Sequence, residues 1–329
     1  MEISKLSVPQ DWKYFGKGAA NILFEYVGND KSLEGKLLRL RLFKKQDDYI
    51  STRELYQFIH DKCKPILSDT IIDVQLVHLD ELFLTKVDSN GHKLMERETF
   101  AFLLPNLLHG NYTKVFLSKH CQLYIDAEWK SVIFEMKPKW LYDNYTTNYC
   151  RTCLLTQLKG NPRHFCPLDL LYPDTINQAV EDIFSLVPRD KLELLDQHGI
   201  PLRQLFCAYL ADPGNVFQQL KLHQTIQNPH DEILTLTSSE DVSESLSLIM
   251  TLRDVGVFLK FERSELGPVA NGVLVTENSG NFSVSSYIYD LDLKSPTKFK
   301  HWRDTEHKLS TIYNSDNPSW RYCHKLKRS

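Results

Sequence analysis

Carboxylates and a lysine stand at the ends of two strand-like runs in the last third of the chain. The alternating run FSVSSYIYD ends on Asp290, with Asp292 and Lys294 following on the same face, and Asp254 lies where a helical pattern changes into a second alternating run. The segment between the two runs, ERSELGPVANGVLVTENSGN, has the composition of a loop. If the two runs pair antiparallel, the start of the first lies beside the end of the second. Asp254 and Asp290 then meet, and two such carboxylates suit phosphoryl transfer, one deprotonating a hydroxyl and the other holding Mg²⁺. The alternative is that Asp290 and Asp292 only end a strand and cap a turn.

A basic segment lies upstream of these acids. Alternation in FEMKPKW places Glu135, Lys137 and Lys139 on the face opposite Phe134 and Met136. Residues 135–163 hold two acidic residues and five basic ones, a local charge of +3 in a chain of net charge −3; the basic residues are Lys137, Lys139, Arg151, Lys159 and Arg163. Such a patch can compensate several phosphate groups. A compact polyanion is favoured over nucleic acid because no stripe of aromatic residues interleaves with the basic ones. A solvated strand face is the alternative.

Two glycines near the N-terminus lie between strand-like runs. In FGKGAAN, Gly16 and Gly18 can let the backbone approach the phosphates of a nucleotide, as glycine-rich loops between two strands do. A simple turn explains the same two residues. The chain has no GxxxxGK[ST] motif, which argues against a P-loop enzyme.

Cysteines cluster in one part of the sequence. CRTC contains Cys150 and Cys153, and RHFC contains His164 and Cys166. The first pair has zinc-site spacing, but only one residue separates His164 from Cys166. The sequence therefore favours buried reduced cysteines flanking a binding arginine, with structural zinc as the alternative.

The pattern of elements predicts an α+β protein of two lobes. Short strand-like runs and an amphipathic helix capped near Ser51 or Thr52 fill the first hundred residues, whereas residues 169–228 follow a mostly helical pattern. A further helix precedes Asp254, with Ser238 and Asp241 spaced as its capping box. The connector NLLHGNYTK predicts a boundary between a lobe of residues 1–108 and a lobe of residues 109–329.

The composition of the chain bears on its partners and its cellular location. The net charge of −3 gives no overall attraction to nucleic acid or to an anionic membrane. No apolar run reaches the roughly 20 residues that span a bilayer, and the N-terminus lacks a signal-peptide core. Seven thinly spread cysteines fit reduced thiols, so we expect an intracellular protein, in the nucleus or the cytoplasm. We also expect a monomer. The basic tail HKLKRS is explained most simply as a solvated terminus.

Four blocks of sequence together resemble the inositol-pentakisphosphate 2-kinase family. EMKPK is similar to the family's EIKPK, and CRTCLLTQLKGNPRHFCPLDL to its CRxC…LK…CPLDL. MTLRD resembles MTxKD, and DLDLKSP resembles DLDLKP. The glycine loop and the LLRL that follows it also stand in the family's order. The matching segments cover a minority of the residues, but they run in that order from Gly16 to Lys294.

The resemblance implies an ATP-dependent kinase that phosphorylates the 2-hydroxyl of inositol 1,3,4,5,6-pentakisphosphate. It implies a two-lobed kinase-like fold, with a small N-terminal lobe built on an antiparallel sheet, a larger C-terminal α+β lobe, and ATP with Mg²⁺ in the cleft. By resemblance, Asp254 is the catalytic base and Asp290 the Mg²⁺ ligand. The residues implied to contact substrate phosphates are Lys137, Lys139, Arg151, Lys159 and Lys294, and those implied to lie near the nucleotide are Gly16, Gly18, Asn21, Arg39 and Glu135.

The chain departs from the family at several positions. Leu155 stands where the family often has a histidine, Ser295 separates the motif lysine from its proline, and DPGNVFQQL leaves Asn215 as the match for a substrate-binding asparagine. The zinc site found in some members uses residues without a clear counterpart here, so no zinc site is predicted. A non-catalytic protein that binds inositol polyphosphates, and a kinase for another inositol phosphate, are the alternatives.

Overall fold

The computed structural model describes residues 1–44, 49–141, 150–160, 163–227, 232–264, 272–277, 280–312, 314 and 322–324. The chain separates into two compact units, Met1–Gly110 and Asn111–Ser329. The boundary falls inside the connector NLLHGNYTK, two residues beyond the position expected from the sequence. Residues 325–329, which hold most of the basic tail, lie outside the described residues.

The first unit is built on an antiparallel sheet with the strand order β1-β2-β3-β5-β4. Its described strands are β1 (Trp12–Lys17), β2 (Asn21–Tyr26), β3 (Lys36–Arg41), β4 (Gln75–His78) and β5 (Phe100–Pro105). Its α-helices are α1 (Thr52–Phe58), α2 (Lys64–Leu67) and α3 (Glu81–Lys86). Ser51 caps α1 through a capping box with Glu54, which satisfies backbone donors at the start of the helix. One apolar cluster, with Trp12, Phe24 and Leu38 among its members, forms the core of this unit.

The second unit contains an antiparallel sheet of strand order β10-β11-β9-β8-β7-β6. Its described strands are β6 (Tyr112–Ser118), β7 (Cys121–Asp126), β8 (Ser131–Met136), β9 (Gly256–Arg263), β10 (Gly272–Glu277) and β11 (Gly280–Tyr289). Its α-helices are α4 (Arg151–Leu158), α5 (Pro173–Phe184), α6 (Arg189–Gln197), α7 (Leu202–Ala211), α8 (Val216–Gln224), α9 (Glu244–Leu252) and α10 (Phe299–Ile312). Phe134 of β8 contacts Phe184 and Phe206, so aromatic rings join the sheet to α5 and α7.

Two antiparallel sheets with several helices confirm the α+β class. Two local expectations were wrong. The Ser238–Asp241 capping box begins a short 3₁₀ turn, whereas α9 starts at Glu244 with Ser243 as its cap. The segment between the two runs that flank the aspartates is not only a loop, because it contains β10, which pairs with the outer edge of β11. In the described ranges, no helix combines the length and the apolar character needed to cross a bilayer.

The sheet order brings three chain segments to one place. β9 lies between β8 and β11 and runs antiparallel to both. The ends of β8 and β11 therefore lie beside the start of β9, as Met136 opposite Val257 and Tyr289 opposite Gly256 show. Residues after β8, before β9 and after β11 consequently share one edge of the sheet.

Candidate active site

Asp254 lies at this edge and is held by two lysines from different segments. Lys294 Nζ donates to Asp254 Oδ2 at 2.6 Å, and Lys139 Nζ donates to Asp254 Oδ1. The lysine side chains are only 20% and 28% exposed, whereas the carboxylate is 44% exposed. A partly open carboxylate between two cations is oriented by the protein and still accessible to a ligand.

The two ammonium groups decide the protonation state of Asp254. Burial alone raises the pKa of this carboxyl, but the charges and hydrogen bonds of Lys139 and Lys294 outweigh burial and lower the pKa to about 2. For Lys139, burial has the larger effect and lowers its pKa despite the attraction of Asp254. Asp254 is therefore ionised at neutral pH and can accept a proton or a hydrogen bond.

Asp290 occupies the neighbouring position at the end of β11. Lys137 Nζ donates to Asp290 Oδ2 at 3.2 Å, and both side chains are about one third exposed. The sequence-based expectation that Asp254 and Asp290 share one end of the sheet is confirmed by the pairing of β9 with β11. Each of the two carboxylates therefore pairs with a lysine of the EMKPK segment, Asp290 with Lys137 and Asp254 with Lys139.

Two residues of this edge have left-handed backbone conformations. Lys139 has φ 65° and Asp290 has φ 67°. Such a conformation costs a residue with a Cβ about 1–2 kcal/mol and persists where the surroundings impose it. This conformation makes the chain turn sharply soon after the end of β8 and immediately after the end of β11. The turns direct the side chains of Lys139 and Asp290 to the common edge.

The side chain of Tyr289 passes over β9 and connects β11 with β8. Its hydroxyl donates to Glu135 Oε1, while the hydroxyl of Tyr124 donates to Glu135 Oε2 at 2.8 Å. Its ring stacks on Phe258 with the centroids 4.7 Å apart. Gly256 makes this crossing possible, because a Cβ there would overlap the Tyr289 ring. Glu135, predicted near the nucleotide, therefore holds the residue that precedes Asp290.

The segment that carries Asp254 and Lys294 is anchored to the end of α9. The backbone N–H of Asp254 donates to the carbonyl of Thr251 at 2.9 Å. Thr251 is fully buried, and its hydroxyl accepts the backbone N–H of Lys294 at 3.1 Å while donating to the carbonyl of Ser247. A single threonine thus fixes the distance between the aspartate and the lysine that pairs with it.

The surroundings of the edge are electropositive. Lys137 donates its backbone N–H to the carbonyl of His120, which places this histidine beside the EMKPK segment. Burial, together with the positive charges of Arg163 and Lys139, lowers the pKa of His120 to about 3. His120 is therefore neutral at physiological pH, mainly because of burial and in part because of the positive charges nearby. No motif in the sequence marked His120.

Arg151 is the first residue of α4 and lies against an aromatic ring and a carboxylate. Its guanidinium carbon is 3.8 Å from the Trp140 ring centroid, and its Nε–H donates to Glu306 Oε1 of α10 at 2.8 Å. Lys159, by contrast, is exposed at the other end of α4, about 12 Å further along the helix. Arg151 and Lys159 therefore do not present their charges at one point.

Asn215 is not an exposed ligand. It is only 1% exposed and caps α8: its Oδ1 accepts the backbone N–H groups of Phe217 and Gln218, and its Nδ2 donates to the carbonyls of Leu210 and Asp212. All of its side-chain groups are thus used by the fold. The structure does not support the prediction that Asn215 binds substrate, because the amide is committed to a helix cap.

Three of the four predicted nucleotide residues of the first unit lie on the β1–β2 hairpin, and Arg39 lies on the neighbouring strand β3. Pairing of β1 with β2 resumes at Gly16 after a register shift, and Gly18 donates its backbone N–H to the carbonyl of Asn21, which closes the turn to β2. A Cβ at position 16 would meet no atom within 4 Å. Asn21 accepts a hydrogen bond from Arg41 at 2.8 Å, and Arg39 lies over the ring of Phe102. The space beside Gly16 is therefore open.

Four buried cysteines converge in the second unit. The sulphur atoms of Cys150, Cys153, Cys166 and Cys323 all lie within 4.8 Å of one another. Cys166 Sγ is 3.6 Å from Cys150 Sγ and 3.4 Å from Cys323 Sγ. These separations are too long for a disulfide and close to the ~3.8 Å between ligands of a tetrahedral Zn²⁺ with ~2.3 Å Zn–S bonds. Cys323 thus takes the fourth position for which the sequence offered His164.

A buried arginine lies beside the cysteine cluster. Arg163 is 5% exposed and close enough to Cys153, Cys166 and Cys150 to interact with them electrostatically. Its Nε and Nη1 have no hydrogen-bond acceptor within the described ranges, although Nη2 donates to the carbonyl of Lys137 at 3.2 Å. Four thiolates around a divalent cation carry a net charge of −2, and a guanidinium supplies a counter-charge. The cluster therefore fits a zinc ion, the alternative that the sequence left open.

Known proteins resemble the chain over nearly its whole length. A model of the inositol-pentakisphosphate 2-kinase family matches residues 14–231 and 200–308. The inositol-pentakisphosphate 2-kinase of Debaryomyces hansenii is 49% identical over 368 aligned residues, which cover 99% of this chain and 98% of the relative. That of Saccharomyces cerevisiae is 26% identical, covering 92% and 98%, and that of Yarrowia lipolytica is 27% identical, covering 91% and 90%.

Proposed function

Because the chain belongs to the inositol-pentakisphosphate 2-kinase family, we propose that it transfers the γ-phosphoryl group of ATP to the 2-hydroxyl of inositol 1,3,4,5,6-pentakisphosphate. The products are inositol hexakisphosphate and ADP. The family match and the identity to the Debaryomyces hansenii relative support the reaction. The observation that carries it in this molecule is Asp254 between Lys139 and Lys294, beside Asp290, at one sheet edge.

Asp254 acts as the base in this proposal. Its carboxylate is ionised, partly exposed and fixed by two cations, so it can accept the hydrogen bond of the attacking hydroxyl and then its proton. A base with so low a pKa removes the proton only as the O–P bond forms, when the hydroxyl becomes acidic. Positioning of the hydroxyl therefore contributes most of the rate enhancement.

Lys137, Lys139 and Lys294 serve a second purpose. Each ammonium group now pairs with a carboxylate, and each has further N–H donors for phosphate oxygens. Charge-assisted hydrogen bonds contribute roughly 1.5–3 kcal/mol each, so three lysines and Arg151 can orient a ring that carries five phosphates. When substrate binds, the lysines direct hydrogen bonds to phosphate oxygens instead of to carboxylates. Asp254 then loses part of the stabilisation of its ionised form, so its pKa rises.

Asp290 fits the role of the Mg²⁺ ligand, because a partly exposed carboxylate supplies the oxygen donors that this cation prefers. When bound, Mg²⁺ neutralises charge on the nucleotide phosphates. Lys137 holds the Asp290 carboxylate in place until then, and Tyr289 with Glu135 holds the backbone before it. Gly16 and Gly18, on an open turn, are proposed to contact the ATP phosphates, with Asn21 and Arg39 nearby.

We further propose that Cys150, Cys153, Cys166 and Cys323 bind one structural Zn²⁺. Two of these cysteines flank the first turn of α4, where Arg151 begins the helix. The ion would therefore join the start of α4 to the CPLDL segment and to the C-terminal part of the chain. Its proposed contribution is to the stability of this region and not to the chemical step.

Turnover with defined substrates tests the reaction. The wild-type chain with Mg²⁺·ATP and the pentakisphosphate should release ADP, and ³¹P NMR should show the new phosphate at position 2. Asp254→Asn keeps the size of the side chain and removes the base, so turnover should fall by at least ~10²-fold while calorimetric titration still shows inositide binding. A wild-type protein that binds the inositide without any transfer would identify a binding protein instead of a kinase.

A further inference from the structure

Trp140 lies between two arginines. The guanidinium carbon of Arg151 is 3.8 Å from the centroid of the Trp140 ring, and that of Arg253 is 4.0 Å from the same centroid. Two guanidinium groups at these distances would overlap on one face of the ring, so they cover opposite faces. The tryptophan is 9% exposed, which makes each contact a largely desolvated cation–π interaction.

The two arginines belong to different parts of the proposed site. Arg151 starts α4 and is a proposed phosphate ligand, and its ion pair with Glu306 uses the Nε–H and not the terminal amino groups. Arg253 is 1% exposed and directly precedes Asp254 in the turn that follows α9. The ring of Trp140 is thus the physical connection between a phosphate-binding cation and the backbone of the base.

A buried glutamine fixes the backbone around this stack. The Gln224 side chain accepts the backbone N–H of Leu141 at 2.7 Å and donates to the carbonyls of Lys139 and Leu252 at 3.1 and 3.0 Å. Its own carbonyl accepts Arg253 Nη2 at 2.7 Å. Gln224 is fully buried, so these four hydrogen bonds hold the segment of Trp140 and the segment of Asp254 at a set distance.

Trp140 lies where it can couple the position of Arg151 to the position of Asp254. On one side Lys139, its neighbour in sequence, pairs with Asp254, and on the other Arg151 faces the inositide in the proposed reaction. A flat aromatic ring restricts a guanidinium to a parallel orientation, which lowers the entropy lost when Arg151 binds phosphate. Removing the ring frees Arg151 to move and loosens the contact that supports Arg253.

We propose that Trp140 is a positioning residue that sets Arg151 and the Arg253–Asp254 turn in register, so that phosphate binding aligns the acceptor hydroxyl with the base. The inference rests on the proposed kinase function, because it assigns Arg151 to a substrate phosphate. It adds a residue that touches neither reactant and acts through two neighbours.

Replacement of the ring tests this role. Trp140→Leu keeps the side chain apolar and removes both cation–π contacts, so we expect the KM for the pentakisphosphate to rise roughly tenfold, kcat to fall and the KM for ATP to stay within about twofold. Trp140→Phe retains an aromatic face and should recover most of the wild-type KM. Trp302→Leu is the matched control, because Trp302 belongs to the same apolar cluster and the described ring contacts of Arg151 and Arg253 are with Trp140.

A double-mutant cycle separates positioning from simple packing. If Trp140 acts through Arg151, Trp140→Leu should add little to the KM effect of Arg151→Met, whereas independent effects would multiply. Equal KM changes in Trp140→Leu and Trp302→Leu, or multiplicative effects in the cycle, would overturn the proposal. Calorimetric titration with the pentakisphosphate gives the same comparison as a change in Kd. A wild-type chain without turnover would therefore refute the kinase assignment and still leave this inference testable.

Discussion

Tyr289 lies directly opposite Gly256 in the β11–β9 pair, and its ring occupies the space that a Cβ at position 256 would need. The ring crosses β9 at this point and its hydroxyl reaches Glu135 on β8. Three strands are therefore joined one residue before Asp290 and two residues after Asp254. The geometry of both carboxylates depends on the absence of a side chain at position 256.

Gly256→Ala should consequently damage the site more than the fold. Overpacking at the Tyr289 ring costs roughly 1–3 kcal/mol and displaces the residue before Asp290. We expect kcat to fall more than tenfold, with a modest loss of thermal stability. Gly214→Ala serves as the control, since the added Cβ there meets only the end of the Asp212 side chain. Wild-type kcat in Gly256→Ala would show that the Tyr289 crossing does not position Asp290.

The pH dependence of kcat/KM should reflect the lysines around Asp254. With a pKa of about 2, Asp254 stays ionised above pH 4, so its protonation does not limit the wild-type enzyme between pH 5 and 8. Lys294→Met removes one cation, which destabilises the carboxylate and raises its pKa; the acid limb should move upward by about one pH unit. Lys298→Met, at an exposed lysine four residues away, should leave the limb unchanged. An unshifted limb in Lys294→Met would contradict the role of Lys294.

The lowered pKa of Asp254 also predicts how the stability of the fold depends on pH. The folded-state pKa of Asp254 lies below the value of about 3.9 in an unfolded chain, so its stabilising contribution is complete above about pH 4 and is lost as the pH falls toward 2. Urea unfolding between pH 3 and 6 should therefore show a smaller loss of stability on acidification for Asp254→Asn than for the wild type. Parallel curves would refute this linkage.

Asn215→Ala should separate helix capping from substrate binding. Loss of the cap and of the buried amide contacts lowers the free energy of unfolding by about 2 kcal/mol. The KM for the inositide should remain within about twofold of wild type at a temperature where the variant is folded. Asn215→Asp keeps the acceptor of the cap and should lose less stability. A large rise in KM without loss of stability would restore Asn215 as a ligand.

The cysteine cluster predicts metal in the purified protein. Elemental analysis should find one zinc per chain, and a chelator that removes it should lower the Tm. Cys323→Ser should lose the metal, whereas Cys207→Ser, at a cysteine of α7 outside the cluster, should keep it. Metal-free protein with a Tm that a chelator does not change would refute the site.

Local patterns in the sequence were sufficient for the elements at the candidate site. The alternation of Val257, Leu259 and Phe261, and the matching run before Asp290, predicted two strands, because side chains on a strand point to opposite faces with a period of two. Their antiparallel pairing was a hypothesis, which the structure confirms. The pairing alone brings Asp254 and Asp290 together. The EMKPK and CRTC segments were recognisable because their residues are consecutive.

Contacts between residues far apart in sequence were decided only by the tertiary structure. Cys323 joins Cys166 across 157 positions, and Arg151 meets Glu306 across 155, and no local period records such separations. Asn215 resembled a ligand by position, yet packing turned its amide into a helix cap. By itself the sequence determined which residues carry charge and where the two strands that flank the aspartates lie, whereas the burial of Trp140 and Gln224 between distant segments required the folded chain, because side-chain packing depends on all segments at once.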